Sequence, residues 1–423
     1  MMNCIIYFLT DYYQKSLRSL AQTQADSYEE VLDKYKKIFI SHLNYVKNKK
    51  CNFESCKFGC NNECSNLKEI IKNIDVNKIQ DFFDTIKKIY INWIDAKTSD
   101  SLNELKTLLH NFKMIDFKAE DITKELFFKG RLSEQILTTW QMFHIPFNKR
   151  YLISNQRYSL TGQPLIYLGK SVIDVVEELE VSQEQLSLLK VSTFEIKENL
   201  RVYDLRNDIY NDVINAKIES RILGNDSKEI INEGKFFKNI LSSICSFQKR
   251  KEHRNFSFCE EYVLPQVLAQ TLKNELFHGI IYHSTKKFNN INFEISSEED
   301  SWIQYIKRTK YKENVALFTH FNDEHVYDRN LYEKLTISTP IDIAKLNTIK
   351  IDDLKNIQAE INQTKKQDMI SICETLLSKF DREFSQCCIN EKKYRETNIG
   401  QLHIYHLYSI FNRILTQCNE EVK

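Results

Sequence analysis

The sequence predicts an α+β protein in which a mixed β centre is flanked by helical regions at both ends. Three observations lead there. Only 8 glycines and 4 prolines occur among 423 residues, well under the roughly 7% and 5% of ordinary chains, so long helices and few turns are expected. All four prolines (Pro146, Pro164, Pro265, Pro340) and five of the glycines (Gly162, Gly169, Gly224, Gly234, Gly279) lie in the middle of the chain. Apolar residues recur at helical spacing in the flanks, whereas the centre carries short strand-like runs.

The composition is 42% hydrophobic, 12% aromatic and 28% charged, which excludes disorder and supplies ample material for a core. Lys and Arg number 59 against 58 Asp and Glu, a balance that does not advertise nucleic acid or an anionic membrane as partner. The apolar run Cys4 to Leu9 has no basic residues before it and no small-residue cleavage site after it, and no stretch reaches eighteen apolar residues. A cytoplasmic protein with reduced thiols is expected.

The divisions predicted are a helical region over 1–140, a mixed centre over 141–345 and a helical region over 346–423. In the first, Ser27 and Glu30 form a capping box before the stripe Tyr28, Val31, Leu32, Tyr35, Ile38 and Phe39. Helical periodicity returns from Leu67 to Ile94 and from Leu102 to Leu109, with Leu105, Leu108 and Leu109 as core candidates. In the centre, strands are expected at Leu165–Leu168, Val191–Ile196, Leu200–Leu205, Gly279–His283 and Val315–Thr319. Ser171 should cap a helix burying Val172, Val175, Val176 and Leu179. Beyond Pro340, Ile357–Phe380 and Ile404–Leu415 read as helices.

Common catalytic fingerprints are missing. No pair of glycines is spaced for G-x-G-x-x-G, and no Walker A loop, G-x-S-x-G or His-Glu-x-x-His occurs. Chemistry must therefore come from scattered residues. The stretch from Phe143 to Glu180, FHIPFNKRYLISNQRYSLTGQPLIYLGKSVIDVVEELE, supplies them in order: Arg157 in a loop, a Gly162 to Pro164 turn, Tyr167 in a strand and Glu178 on a helix. HGIIYHSTKKFNNINF places Ser284 at the end of a strand, STFEIKENLRVYDL resembles a strand pair ending in Asp-Leu, and ENVALFTHF carries Asn314.

With these features, residues 141 to 345 resemble the RES domain family. The resemblance implies an ADP-ribosyltransferase-like fold and an enzyme that consumes NAD, in many members as the toxin of a bacterial toxin–antitoxin pair. It implies catalytic roles for Glu178, Arg157 and Tyr167, and NAD contacts from Arg157, Tyr167 and Ser284.

Physical chemistry fits these roles. Cleavage of the nicotinamide–ribose bond develops positive charge on the ribose, which a carboxylate stabilises. A guanidinium fork matches pyrophosphate, and a phenol ring can hold nicotinamide by stacking. Taken singly, each residue also has an ordinary reading: a solvated loop arginine, a core tyrosine, a surface glutamate, a strand-end serine. Glu177 adjoins Glu178, and a one-residue shift would exchange them; the spacing from Tyr167 favours Glu178, and on the helix Glu177 is expected to point further from the buried stripe. His144, His283, Arg150 and Asn155 are further polar candidates, with a structural role the default for the histidines.

Cys51, Cys56, Cys60 and Cys64 crowd four thiols into CNFESCKFGCNNEC, a set that could enclose a structural zinc although its spacing lacks C-x-x-C knuckles. An unmetallated loop is the alternative. The basic run Gln248 to His253 and the pair His403 and His406 carry no assigned chemistry. The leading expectation is an NAD glycohydrolase or phosphorylase acting as a toxin or defence effector. Protein ADP-ribosylation, or a catalytically inactive interaction protein, are the alternatives. NAD as substrate, an inhibitory antitoxin or regulatory protein, and a second copy of the chain are the expected partners.

Overall fold

The computed structural model describes residues 4–48, 69–115, 120–123, 125–198, 200–207, 232–250, 256–286, 292–295, 310–342, 346 and 378–420. The four clustered cysteines Cys51, Cys56, Cys60 and Cys64, and most of the helix expected over Ile357–Phe380, lie outside them. The fold is mixed α and β. Its strands are β1 (Glu120–Asp121), β2 (Leu126–Leu132), β3 (Leu165–Gly169), β4 (Leu189–Ile196), β5 (Arg201–Asp204), β6 (Gly279–His283), β7 (Phe293–Ile295), β8 (Glu313–Phe318), β9 (Leu335–Ile337), β10 (Ile341–Asp342), β11 (Cys387–Ile389) and β12 (Lys392–Lys393).

The chain forms two compact units, each assembled from separated stretches. The first comprises Met1–Asp121, Asn148–Pro164 and Leu200–Thr285; the second comprises Ile122–Phe147, Leu165–Asn199 and Lys286–Lys423.

In the first unit, helices at Tyr28–Asn48, Val76–Ile94, Thr98–Asn111, Glu233–Ile244 and Val263–Asn274 gather around strands in which β5 pairs antiparallel with β1 and parallel with β6. The Tyr28–Asn48 helix begins with half of the expected box: Glu30 N donates to Ser27 Oγ at 3.2 Å, but the Glu30 carboxylate accepts from Asp26 N at 3.1 Å, one residue before the Ser27 N–H that a full box uses. Its stripe buries Tyr28, Val31, Leu32, Tyr35 and Phe39. Rings dominate this core, as in Tyr35 against Phe247 at 5.4 Å and Phe82 against Phe237 at 5.1 Å. The buried Arg18 is satisfied by Asp11 at 2.7 Å and Ser243 Oγ at 2.6 Å.

In the second unit, antiparallel strands run in the order β8-β3-β2-β4-β10, with β9 also on β4. The strand β2 lies between β3 and β4, yet its sequence sits inside the flank expected to be helical. Leu126, Phe127 and Phe128 are apolar in succession, so period-2 alternation is hidden where both faces are covered. Beneath the helix Val172–Glu178, β2 carries Gly130: a methyl there would lie 2.4 Å from Val175 Cγ1 and 3.0 Å from Leu179 Cδ1. The helix therefore rests directly on the strand backbone. Val172, Val175 and Val176 are buried as expected, but Leu179 is 39% exposed, because the helix has ended before it.

The C-terminal helix Asn398–Glu420 joins the same apolar cluster, bringing Ile399, Leu402, Ile404 and Leu407 to Phe128, Val172 and Val176. A short hairpin, β11 and β12, lies in the C-terminal flank that the sequence reading makes helical. Its two turn residues, Asn390 and Glu391, both have positive φ (48° and 67°), as a two-residue hairpin turn requires. Among the described residues no helix is long and apolar enough to cross a membrane.

His403 and His406 sit within the second unit's core rather than at a surface. His403 packs edge-on to Phe128, Phe380 and Phe384 and meets the Tyr394 hydroxyl at 3.2 Å. Burial pushes the two imidazoles down from 6.5 to about 3 and about 4. Both are neutral when folded and would take up protons near pH 6.5 once unfolded. Stability is therefore intact above pH 6.5 and lost as pH falls from there toward 4, by up to about 1.4 kcal/mol per pH unit for each ring. Urea unfolding at pH 7, 6 and 5 should show this slope, and a His403→Leu, His406→Leu variant should flatten it.

Candidate functional site

The helix carrying Glu178 is fixed at both ends by local chemistry. Ser171 Oγ accepts from Asp174 N at 3.2 Å, and Asp174 Oδ2 accepts from Ser171 N at 3.1 Å, a reciprocal cap. At the other end Glu180 takes a left-handed conformation with φ 52°. Val181 N then donates to Val176 O at 3.0 Å and Glu180 N to Glu177 O at 3.1 Å, the double closure of a Schellman ending. The free carbonyl of Glu178 accepts from Lys286 Nζ.

These constraints aim the Glu178 side chain. Its Oε1 accepts a hydrogen bond of 2.7 Å from Asn314 Nδ2 on β8. Asn314 is opposite Gly169 in the β3–β8 ladder, and Tyr167 is opposite Ala316. Paired residues share a sheet face, as do residues two apart on a strand, so Tyr167 and Asn314 are diagonal neighbours on one face. The structure thus brings Tyr167, Asn314 and Glu178 to the same side of one sheet. Glu178 and Tyr167 are both half-buried, whereas Asn314 is buried.

Glu177 behaves differently from the expectation that it points further from the buried stripe. It is only 7% exposed, more buried than its neighbour. One turn before Glu178, Asp174 is also buried, and burial together with the nearby Glu178 and Glu313 charges holds its carboxyl well above the usual range despite the Ser171 bonds.

Arg157 and Ser284 belong to the first unit. Gly162, at φ 81°, takes the third position of a turn in which Gln163 N donates to Leu160 O at 3.0 Å. Arg157, in the loop before it, donates from Nη1 to the carbonyls of Cys245 (2.7 Å) and Phe247 (3.0 Å), and from Nη2 to Thr285 Oγ1 at 2.8 Å. The Tyr262 ring lies 4.9 Å from its guanidinium carbon. Three of an arginine's five N–H donors are thereby used among the described residues, leaving Nε and one Nη2 hydrogen for another acceptor. The hydroxyl that meets Arg157 is that of Thr285, next to the half-buried Ser284. Sequence reasoning missed Thr285 and Tyr262, since neither carries a local signal.

Of the remaining candidates, His144 and Asn155 are held in structural hydrogen bonds, Arg150 is exposed, and His283 is half-buried at the end of β6. The buried His144 has Nδ1 2.8 Å from Ile145 O and accepts at Nε2 from Asp328 N at 2.9 Å, and burial lowers it from 6.5 to about 4. Asn155 accepts from Gln266 Nε2. Arg250, in the basic run, donates to the Asp26 and Ser27 carbonyls. Among the described residues, no group of three or more His, Cys, Asp or Glu side chains could hold a metal ion.

No protein-family model matches the chain, and no solved structure does. The chain is 30% identical over 194 residues to a protein of Bacillus subtilis (strain 168) named "Putative toxin YopC". That match spans 44% of this chain and 41% of the Bacillus protein, so less than half of either is compared. The similarity is thus to a protein named as a toxin.

Two stability outcomes follow from these contacts. Arg157→Ala should cost about 2–3 kcal/mol in urea unfolding, since it strips a charged donor from two carbonyls and a hydroxyl. Glu180→Gly should instead raise the unfolding free energy by about 0.5–1 kcal/mol, because glycine takes the left-handed ending without a Cβ penalty.

Proposed function

We propose that this protein is a toxin-type enzyme of ADP-ribosyltransferase-like chemistry that cleaves the nicotinamide–ribose bond of NAD. One observation carries the reading: a half-exposed carboxylate, Glu178, is fixed by Asn314 on the sheet face that also presents Tyr167. The similarity to a protein named as a toxin supports the toxin role, and the resemblance to the RES family supports NAD as the substrate.

In this reading nicotinamide leaves as a neutral base, taking the electron pair of the C–N bond. The positive charge that develops on the ribose is stabilised by the Glu178 carboxylate. Water then forms the new C–O bond, giving ADP-ribose, nicotinamide and one proton; inorganic phosphate in place of water would give the 1-phosphate. Tyr167 would pack on the nicotinamide ring and limit its orientations. The resemblance to the RES family would also assign a phosphate to Arg157 and a ribose or phosphate oxygen to Ser284, both residues of the first unit. An inhibitory partner that keeps NAD from Glu178 would complete a toxin–antitoxin arrangement. The protein would act where NAD is abundant, in the cytoplasm.

Purified protein incubated with NAD should release nicotinamide, and Glu178→Gln should slow that release by roughly 10²–10⁴-fold while leaving the fold intact. Glu177→Gln should do much less. Omitting phosphate separates hydrolysis from phosphorolysis. Radiolabel retained on protein would instead indicate transfer, and no nicotinamide release at any protein concentration would remove the proposal.

A further inference from the structure

Asp174 is the residue the proposed reaction leaves unused. It is 2% exposed, one helical turn before Glu178. Its Oδ2 is engaged by Ser171, but its Oδ1 is buried with no hydrogen-bond partner among the described residues. A second oxygen in the same condition is Asn314 Oδ1, on the residue whose amide donates to Glu178. Both flank Gly169. Asn314 stands opposite it in the ladder, and Asp174 Cβ lies 2.9 Å from the point where a Gly169 Cβ would be.

Two buried, unmatched acceptors on residues that flank the same glycine are costly, and two ionised carboxylates one turn apart repel. A single proton removes both problems, turning one acceptor into a donor. We infer that Asp174 is a positioning residue held as a neutral carboxylic acid, whose Oδ1–H is directed to Asn314 Oδ1 so that the Asn314 amide is oriented toward Glu178.

The groups that face Asp174 agree with a retained proton. On its own helix this is Glu178, on β8 it is Glu313, and from the segments packed against it come the phenols of Tyr311 and Tyr394. The phenols are neutral, and the two carboxylates disfavour a further negative charge beside them. Burial acts in the same direction. Lys286 reaches the Glu178 backbone carbonyl and, at 3.3 Å, the Glu180 carboxylate. The chain Asp174, Asn314, Glu178 then has a donor facing an acceptor at each step.

The inference rests on the proposed role of Glu178, and its test is chosen to be independent of NAD. Infrared spectra of protein labelled with ¹³C in aspartate should show a protonated carboxyl band at pH 7.5 that is missing from Asp174→Asn. The ¹⁵N resonances of the Asn314 side-chain amide should stay in place in Asp174→Asn, whose own amide replaces the O–H donor, and move in Asp174→Ala. If NAD is the substrate, Asp174→Asn should keep nicotinamide release within about threefold of the parent. Asp174→Ala should lose roughly 10- to 100-fold in kcat at similar KM. An ionised Asp174 at pH 7.5, or an Asn314 amide indifferent to Asp174→Ala, would overturn the inference whether or not NAD is consumed. Should Asp174→Ala fail to fold, the band and the Asp174→Asn resonances still decide it.

Discussion

The second unit depends on how closely one short helix approaches the sheet. Val175 lies against β2 at Gly130 and beside β3 at Gly169, Val172 and Val176 share its apolar cluster, and the C-terminal helix brings Ile399, Leu402 and Leu407 to the same cluster. A seven-residue helix has little intrinsic stability. Its position comes from this apolar burial, from a reciprocal cap at Ser171 and from a Schellman ending at Glu180. Because both ends are pinned, the rotation of the helix about its axis is settled, and with it the direction in which residue 178 leaves the backbone.

From that constraint the electrostatics follow. The helix carries three carboxyl residues, Asp174, Glu177 and Glu178, on a few turns of backbone. Packing assigns them different environments: Asp174 and Glu177 are buried, and Glu178 reaches the margin, where Asn314 meets it at 2.7 Å. At Asp174 burial favours the neutral acid. In the first unit the corresponding constraint is Arg157, whose fork ties its loop to the carbonyls after the Glu233–Ile244 helix. An arginine used in this way has its remaining donors held in direction, which suits recognition of a phosphate more than a freely moving side chain would.

Much of this was legible in the sequence. The strands β3, β4, β5, β6 and β8 and the Ser171 cap follow from local patterns, and the stripe at Tyr28, Val31, Leu32, Tyr35 and Phe39 follows from helical periodicity. The strand β2 was hidden because Leu126, Phe127 and Phe128 are apolar on both faces, and the β11–β12 hairpin because its turn uses Asn390 and Glu391 without glycine. Glu178, Tyr167 and Asn314 could be named from their order along the chain, but the sharing of one face by Tyr167 and Asn314 depends on the β3–β8 register, which no local signal encodes. Tyr262 and Thr285 were invisible for the same reason: they lie more than a hundred residues from Arg157 and meet it only in the folded unit.

The central claim is that Glu178 stands beside the ribose whose bond to nicotinamide breaks. The most direct measurement is a crystal structure of the Glu178→Gln protein soaked with NAD, where the substrate should persist unbroken. The account requires the nicotinamide ribose within hydrogen-bond reach of the residue 178 amide and the nicotinamide ring against Tyr167. NAD bound elsewhere with residue 178 facing solvent, or no NAD bound at saturating concentration, would contradict it.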